Sequence, residues 1–498
     1  MPLNIRQLAS QTAVYGLSSI VARVLNYLLT PLLTGIFEPA VYAIINELYS
    51  YIAVVLAILT FGLETALFRF GGHVNDSKTV FTTALGVVAF LTLGFFLAVV
   101  TTAGPISEIL RYPGHSDYVI MFSLIIALDA LAALPQARLR QLNRPGYFAL
   151  VNIANVGVSV GLILFWLVYC RQVYLEKGSE SSPLVRTMYN HDVGVAYVFM
   201  SNIAASAVKL LLLLPVVLGS LARFSSSLLP RLLRYSWPLA VGSVCFIINE
   251  KADVLFLTHI LPREEARHAV GVYAACYKLA LLMYLFIQAF RFAAEPYFFS
   301  QARQQDAPFV YAGIMNWFVG FCLGIFLFIN LYLDILKYFI AQPVYWEGLG
   351  IVPVITMAIL LSGVYLNLSM WYKLSGETSY GMAFSIVGAL VTVVLNVALI
   401  PSVGYWGSAW ATLTCYAVMV AVSYYFGQKK FPIPYQMDRL GKLFLLAGGA
   451  YALFQIIPMH SALWVRYGLA SVLMALYIIF AVPLISDKSL LHALARKN

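Results

Sequence analysis

Arg23 stands about 11 residues into the first long apolar stretch, with Ser19, Asn26 and Thr30 at spacings of four, three and four. At 3.6 residues per turn those four share one helical face. A cation roughly 16 Å deep, at 1.5 Å per residue, can hardly snorkel to water. It must face either an internal acid such as Glu64 or a polar cavity. A longer stripe runs through Tyr273, Tyr277, Tyr284, Gln288, Arg291 and Glu295. Its spacings of four, seven, four, three and four hold one face across a whole membrane. Tyrosine rings there can stack on sugar or lipid, and a guanidinium fork can hold two phosphate oxygens at once. Asn249, Glu250, Lys251 and Asp253 crowd a third apolar stretch, and Lys278 lies on the following one, off the tyrosine stripe. Pairing of Lys278 with one of those acids and a substrate role are equally open.

Other intramembrane groups divide in the same way. Asn46, Ser50, Thr60 and Glu64 fall near one line on a continuous helix, which suits a cavity wall or close helix packing. Arg69 closes that stretch as a snorkelling anchor, and Asp129 and Lys209 read as structural or coupling groups. The substrate-binding set is therefore Arg23, Asn26, Asn249, Lys251, Lys278, Tyr284, Gln288 and Arg291. The coupling candidates are Glu64, Asp129, Glu250, Asp253 and Glu295. No Gly-rich loop ending in Lys-Ser/Thr is present, so direct nucleotide-driven pumping is disfavoured. Neither a His-Glu-x-x-His run nor a Cys/His ligand set occurs, which gives no metal, no cofactor and no catalytic constellation. The cysteines are scattered among apolar residues and read as small core side chains.

The elements that must position these groups are membrane helices. The 498 residues are 61% hydrophobic and 10% charged, against about 45–50% and about 25% in soluble domains. Nearly every window is apolar for about 20 residues, the length that spans a bilayer. Fourteen spans are expected, at roughly 11–35, 41–70, 79–102, 118–138, 147–169, 194–219, 236–259, 270–299, 309–333, 349–373, 379–400, 405–427, 441–458 and 463–485. With both termini in the cytosol, cytosolic Lys and Arg outnumber outer ones by more than two to one, as the positive-inside rule requires. That topology accounts for most of the +10 net charge, so nucleic-acid binding need not be invoked.

The chain also repeats itself. Phe68-Arg69-Phe70 and Phe290-Arg291-Phe292 both end a second span, and Tyr15 and Tyr42 answer to Tyr235 and Tyr273. Landmarks in the same order predict two halves of like orientation. The expected divisions are a six-helix bundle over 1–222, an interfacial linker over 223–235, a second bundle over 236–430, and two further helices with a tail over 431–498. The fold class is thus an all-α polytopic membrane protein with its pathway between repeats.

The opening Thr12-Ala13-Val14-Tyr15-Gly16-Leu17-Ser18-Ser19, the run Arg23 to Pro31, Gly62 to Phe70 and Arg291 to Phe299 resemble the polysaccharide-transporter branch of the multidrug/oligosaccharidyl-lipid/polysaccharide exporter superfamily. The likeness is to O-antigen-type lipid-linked oligosaccharide flippases, in span count and order over the whole chain. It implies two six-helix bundles in a V, alternating access, and a polyprenyl-diphosphate-linked glycan moved to the periplasmic leaflet of a bacterial inner membrane. It further implies that cavity cations hold the diphosphate, with Arg23 matching the arginine of the first helix, and that the last two spans form a groove for the lipid tail. The expected partners are that glycan, membrane lipids and a coupling H+ or Na+, in a monomer that is not an enzyme. The alternatives are a cation-coupled drug antiporter of the same superfamily and an integral-membrane glycosyltransferase, polymerase or ligase. The short outer loops, with only Glu38 in the first, speak against the enzymes.

Overall fold

The computed structural model describes residues 5–71, 77–177, 183–301, 306–375, 377, 379–456 and 463–485, with the backbone alone at 5–15, 17, 19, 184, 292, 293, 295, 296, 299–301 and 463. The described residues are helical almost throughout and contain no strand. In hydrocarbon every backbone N–H and C=O must be satisfied within its own segment, which a helix alone achieves without a partner.

The elements run α1 (Ile5–Ile36), α2 (Pro39–Thr60), α3 (Leu63–Phe70), α4 (Ser77–Thr101), α5 (Ala103–Ile109), α6 (Ser116–Gln141), α7 (Pro145–Leu164), α8 (Arg171–Lys177), α9 (Pro183–Met188), α10 (Ala196–Ser220), α11 (Leu229–Ile260), α12 (Arg263–Gln301), α13 (Ala307–Leu331), α14 (Leu333–Leu336), α15 (Val352–Leu368), α16 (Met370–Leu374), α17 (Ser379–Val403), α18 (Tyr405–Lys430), α19 (Met437–Gln455) and α20 (Leu463–Ile485). Eleven helical stretches are long and apolar enough to cross a membrane, and Ile20–Ile36 in α1 is a shorter apolar one. The two remaining expected spans are also helices: α11, with Glu250, Lys251 and Asp253, and α19, which opens with Asp438, Arg439 and Lys442. The fourteen expected spans are all present as helix.

Two expectations about individual spans are corrected. The second span is not one rod, because Phe61 and Gly62 both take left-handed backbone angles, φ 49° and 65°, and separate α2 from α3. The line drawn through Asn46, Ser50, Thr60 and Glu64 therefore ends at Thr60. The fifth span is longer than 147–169: α7 passes through a π-helical turn, Phe165–Cys170, into α8. The wider turn keeps the helix hydrogen-bonded while shifting its face. Of the stretch 223–235, residues from Leu229 onward belong to α11, with Pro230 in its first turn, where a missing N–H costs nothing.

The chain divides into two compact units, 1–271 and 272–498. In the first, α6 is the central post: α2, α4 and α10 pack on it, α7 packs on α1 and α10, and α11 lies along α2. Gly62 lets α11 approach closely, since a Cβ there would meet Leu239 Cβ at 3.0 Å and the Ser236 carbonyl at 3.1 Å. In the second, α18 packs on α15 and α17, and α13 carries α15, α19 and α20. The last two helices are fastened to α13 by polar groups as well as packing. Tyr477 donates to the Gly320 carbonyl at 2.6 Å, and Asn316 donates to Gln436 at 2.8 Å.

Candidate functional site

Charges in the first unit are mostly answered by one another. Lys209 on α10 donates to Asp129 on α6 at 2.5 Å, and Ser206, one turn earlier, reaches the same carboxylate oxygen at 2.9 Å. Arg140 on α6 pairs with Glu64 on α3 at 2.9 Å and lies over the Phe68 ring. Glu64 thus has a neighbour other than Arg23 as its cation. Arg138, only 4% exposed, reaches Ser77, Gln141 and Ser220, tying the start of α4 and the end of α10 to α6. Three polar side chains of α2 are returned to its own backbone. Asn46 donates to Tyr42, Ser50 to Asn46 and Thr60 to Leu56, at 3.0, 2.8 and 2.9 Å. This is the packing alternative, since a side chain returned to its own helix presents little to a ligand.

Beside Asn46 and Ser50 on α2, Glu47 and Tyr51 belong to a cluster that sequence reasoning missed. Glu47, 1% exposed, accepts a 2.5 Å hydrogen bond from Tyr112 in the α5–α6 turn. Burial and the Glu47 charge hold the Tyr112 phenol well above its ordinary pKa, so it remains a donor at neutral pH. Arg267 on α12 lies over the Tyr112 ring at 4.9 Å and donates to the Arg111 carbonyl at 2.7 Å. Arg111, held at φ 64°, donates to the carbonyls of Thr258, His259 and Leu261 and so caps the C-terminus of α11. Tyr51 completes the cluster with a 2.5 Å hydrogen bond to His259. Glu47 lies within an apolar stretch, but Tyr112 is 65 residues away and leaves no local pattern.

The proposed substrate residues of this unit are placed as follows. Arg23 and Asn26 are both exposed, one turn apart on α1, whereas Thr30 is buried and the Ser19 side chain lies outside the described residues. Lys251 is exposed and Glu250 half-buried, while Asn249 and Asp253 are 1% and 3% exposed. The shared face read for Asn249 and Asp253 is thus an inward one, and Lys251 points elsewhere.

In the second unit the stripe of α12 ends in a pocket. Tyr273 and Gln288 are buried, and Tyr277, Lys278 and Tyr284 are half-buried. The Glu295 side chain lies outside the described residues. Arg291 lines a pocket together with Lys373 from α16 and Asn367 from α15; Phe290, Phe298, Phe318 and Met370 form its walls. Gly363 forms the close contact at its edge, where a Cβ would meet the Phe318 ring at 2.5 Å and Ile287 at 2.9 Å. The free space is about 20 Å3, enough for one water-sized group, so a larger anion enters only as the long Arg and Lys side chains swing aside. Two cations, an amide and an aromatic wall suit a ligand with an anionic head joined to an apolar chain. Nothing in sequence ties Lys373 to Arg291; the pocket alone brings them together.

Among the described residues no cluster of three or more His, Cys, Asp or Glu could hold a metal ion. The cysteines are all free, and Cys170, Cys276, Cys322 and Cys415 are buried.

Against known proteins, residues 8–301 match the family model described as polysaccharide biosynthesis protein. No curated protein sequence matches the chain. Among solved structures it is similar to the lipid II flippase MurJ in an inward closed conformation, with TM-score 0.69 and 12% identity over 95% of this chain and 99% of that one. It is also similar to an inward-facing multidrug resistance MATE family transporter of the MOP superfamily, with TM-score 0.63 and 13% identity over 86% and 96%. A third neighbour is the MATE multidrug transporter DinF-BH in complex with R6G, with TM-score 0.60 and 15% identity over 86% and 96%. At these identities the likeness shows the fold, that of MOP-superfamily transporters.

Proposed function

The chain belongs to the polysaccharide biosynthesis protein family, and from that premise we propose that it moves a polyprenyl-diphosphate-linked oligosaccharide across a bacterial inner membrane, from the cytosolic to the periplasmic leaflet. The carrying observation is the convergence of Arg291 and Lys373 on one aromatic-walled pocket of the second unit. In this reading the diphosphate is gripped by the Arg291 fork and by Lys373 as a point charge, and Asn367 donates to a remaining oxygen. The first isoprene units lie along Phe290, Phe298 and Phe318. Arg23, Asn26 and Lys251, exposed in the first unit, meet the diphosphate or the glycan as the pathway opens. Lys278, Tyr284 and Gln288 continue it along α12, and Asn249 supports it from within the first unit.

The protein acts as a carrier, with two six-helix bundles alternating their opening and the last two helices standing outside them. Both termini lie in the cytosol. Coupling to H+ or Na+ falls to Glu250, Asp253 and Glu295, which remain from the coupling candidates of the sequence. Glu64 and Asp129 already hold Arg140 and Lys209.

The test is leaflet exchange of a fluorescent polyprenyl-diphosphate sugar by the purified protein in liposomes. Exchange above that of empty liposomes, reduced by Arg291→Gln and Lys373→Gln, is the expected result. Exchange equal to that of empty liposomes across several glycans and both ion gradients, alongside efflux of cationic dyes, would transfer the assignment to the antiporter.

A further inference from the structure

Glu47, in the third turn of α2 and 1% exposed, is an acid to which the transport reading gives no task. Its Oε2 accepts from Tyr112, whereas Oε1 is buried with no hydrogen-bond partner among the described residues. An ionised carboxylate offers about four acceptor sites and, taken out of water, needs them answered. Tyr112 and Arg111 face it from the α5–α6 turn, Thr258 from α11 and Arg267 from α12, with Tyr51 one turn further along α2. Beyond Tyr112 these groups are committed elsewhere. The Thr258 hydroxyl donates to the Val254 carbonyl at 2.9 Å. Arg111 donates to the carbonyls at the end of α11, and Arg263 and Arg267 both turn to the Arg111 carbonyl. Tyr51 and His259 hold each other. Tyr118 closes the cluster from α6, edge-on to Tyr112 at 6.4 Å, and His115 stacks on Tyr118 at 4.5 Å.

A neutral acid resolves the conflict, because an unmet hydroxyl costs far less than an unmet charge. We propose that Glu47 carries a proton on Oε1 in this state, with Tyr112 donating to its carbonyl oxygen Oε2, and that the cluster is a clasp opened by loss of that proton. The Tyr112 phenol stays a donor in either form of Glu47, since burial is the larger cause of its raised pKa. Tyr112 and Arg111 are adjacent, so the hold on Glu47 and the cap on α11 open together. On opening, the Oε1 proton passes to water and the carboxylate is hydrated, while Tyr112 keeps its own hydrogen. The open state then binds one proton fewer than the closed one. Raising the pH therefore favours opening, by up to about tenfold per pH unit. The inference is independent of what the Arg291 pocket carries.

Infrared spectroscopy of the full chain in detergent reads the proton directly. A carboxylic-acid C=O band, distinct from those of ionised carboxylates, should be present at neutral pH. It should be lost in Glu47→Gln and kept in Glu38→Gln, which alters an exposed acid. Tyr112→Phe should keep the band and move it to higher frequency, as a carbonyl that loses a hydrogen bond does. Hydrogen–deuterium exchange follows the clasp. Comparison with Glu47→Gln at the same pH cancels the base catalysis of exchange itself. On that scale, exchange over 110–118 and 257–261 in the wild type should rise with pH, by up to about tenfold per unit. A neutral-pH spectrum in which Glu47→Gln removes no acid band shows an ionised Glu47 and overturns the proposal. An exchange ratio that does not change with pH overturns the clasp. Should Glu47→Gln fail to fold, the Tyr112→Phe spectrum decides alone: an acid band that does not shift refutes the pairing.

Discussion

The two Phe-Arg-Phe copies end in different surroundings. In the first unit Arg69 lies 4.6 Å from the centre of the Tyr235 ring, and Phe70 meets the same ring edge-on at 5.5 Å. Phe68 lies under Arg140, which in turn holds Glu64. The first tripeptide is thus absorbed into packing. In the second unit Phe290 packs on Phe318 and Trp317, with centroids 4.7 and 6.2 Å apart, while Arg291 lines a pocket with Lys373. The same tripeptide serves as a fastener in one unit and as part of a pocket wall in the other. The neighbours decide: Tyr235 takes up the first arginine, and Asn367 and Lys373 surround the second.

The largest effect expected from this contrast is on transport. Arg291→Gln/Lys373→Gln should lower leaflet exchange about a hundredfold, since each cation contributes charge-assisted hydrogen bonds worth about 1.5–3 kcal/mol. Its thermal midpoint should move little, because the residues border a pocket. Arg69→Gln should leave exchange within about twofold of wild type. Equal losses at Arg69 and Arg291 would erase the functional difference between the copies.

Next comes the way the first unit holds its own charges. Lys209→Ala leaves Asp129 without its cation in a setting where the pair is only 13% and 22% exposed. A loss of about 3 kcal/mol is expected, read as a lowered melting temperature in detergent. Asp129→Leu/Lys209→Met should recover most of it, because apolar replacement of a buried pair is often neutral. If the double variant melts as low as the single one, the pair has a role beyond mutual neutralisation, and Asp129 returns to the coupling candidates.

The helical class and the eleven helices apolar enough to cross a membrane were legible in sequence because each rests on local hydropathy over about 20 residues. The stripe of α12 was legible for the same reason, as it depends only on spacing along one helix. The break at Phe61–Gly62 was not. A single Gly in an apolar run is ordinary in membrane helices, and the neighbour that Gly62 admits there is α11 at Leu239, far along the chain. Glu64 could be seen as a buried acid, but its choice of Arg140 over Arg23 depends on how α3 and α6 pack. Lys373 and Arg291, like Glu47 and Tyr112, meet only through tertiary packing. Periodicity finds faces and leaves their partners open.

The break itself offers a smaller perturbation. Gly62→Ala places a Cβ at φ 65°, 3.0 Å from Leu239 Cβ and 3.1 Å from the Ser236 carbonyl. Strain of about 1–2 kcal/mol is expected, again as a lowered melting temperature. Gly114→Ala provides the comparison, since its φ of 80° imposes similar backbone strain with nothing within 4 Å. The difference between the two variants isolates the contact with α11. If they melt alike, the close approach of α11 contributes nothing and the break is a property of the backbone alone.

The smallest effect returns to the first tripeptide. Arg69 is exposed, and a cation over an aromatic face at an exposed site contributes about 0.5–1 kcal/mol. Arg69→Gln should therefore lower the melting temperature slightly, and Tyr235→Leu, which also removes the edge contact with Phe70, somewhat more. The informative quantity is their coupling. If the Arg69–Tyr235 stack is the fastener, the double variant should lose less than the sum of the two single losses. Strict additivity would mean that Arg69 is held by the membrane surface instead of by Tyr235. The two Phe-Arg-Phe copies would then differ only in Arg291, not in both arginines.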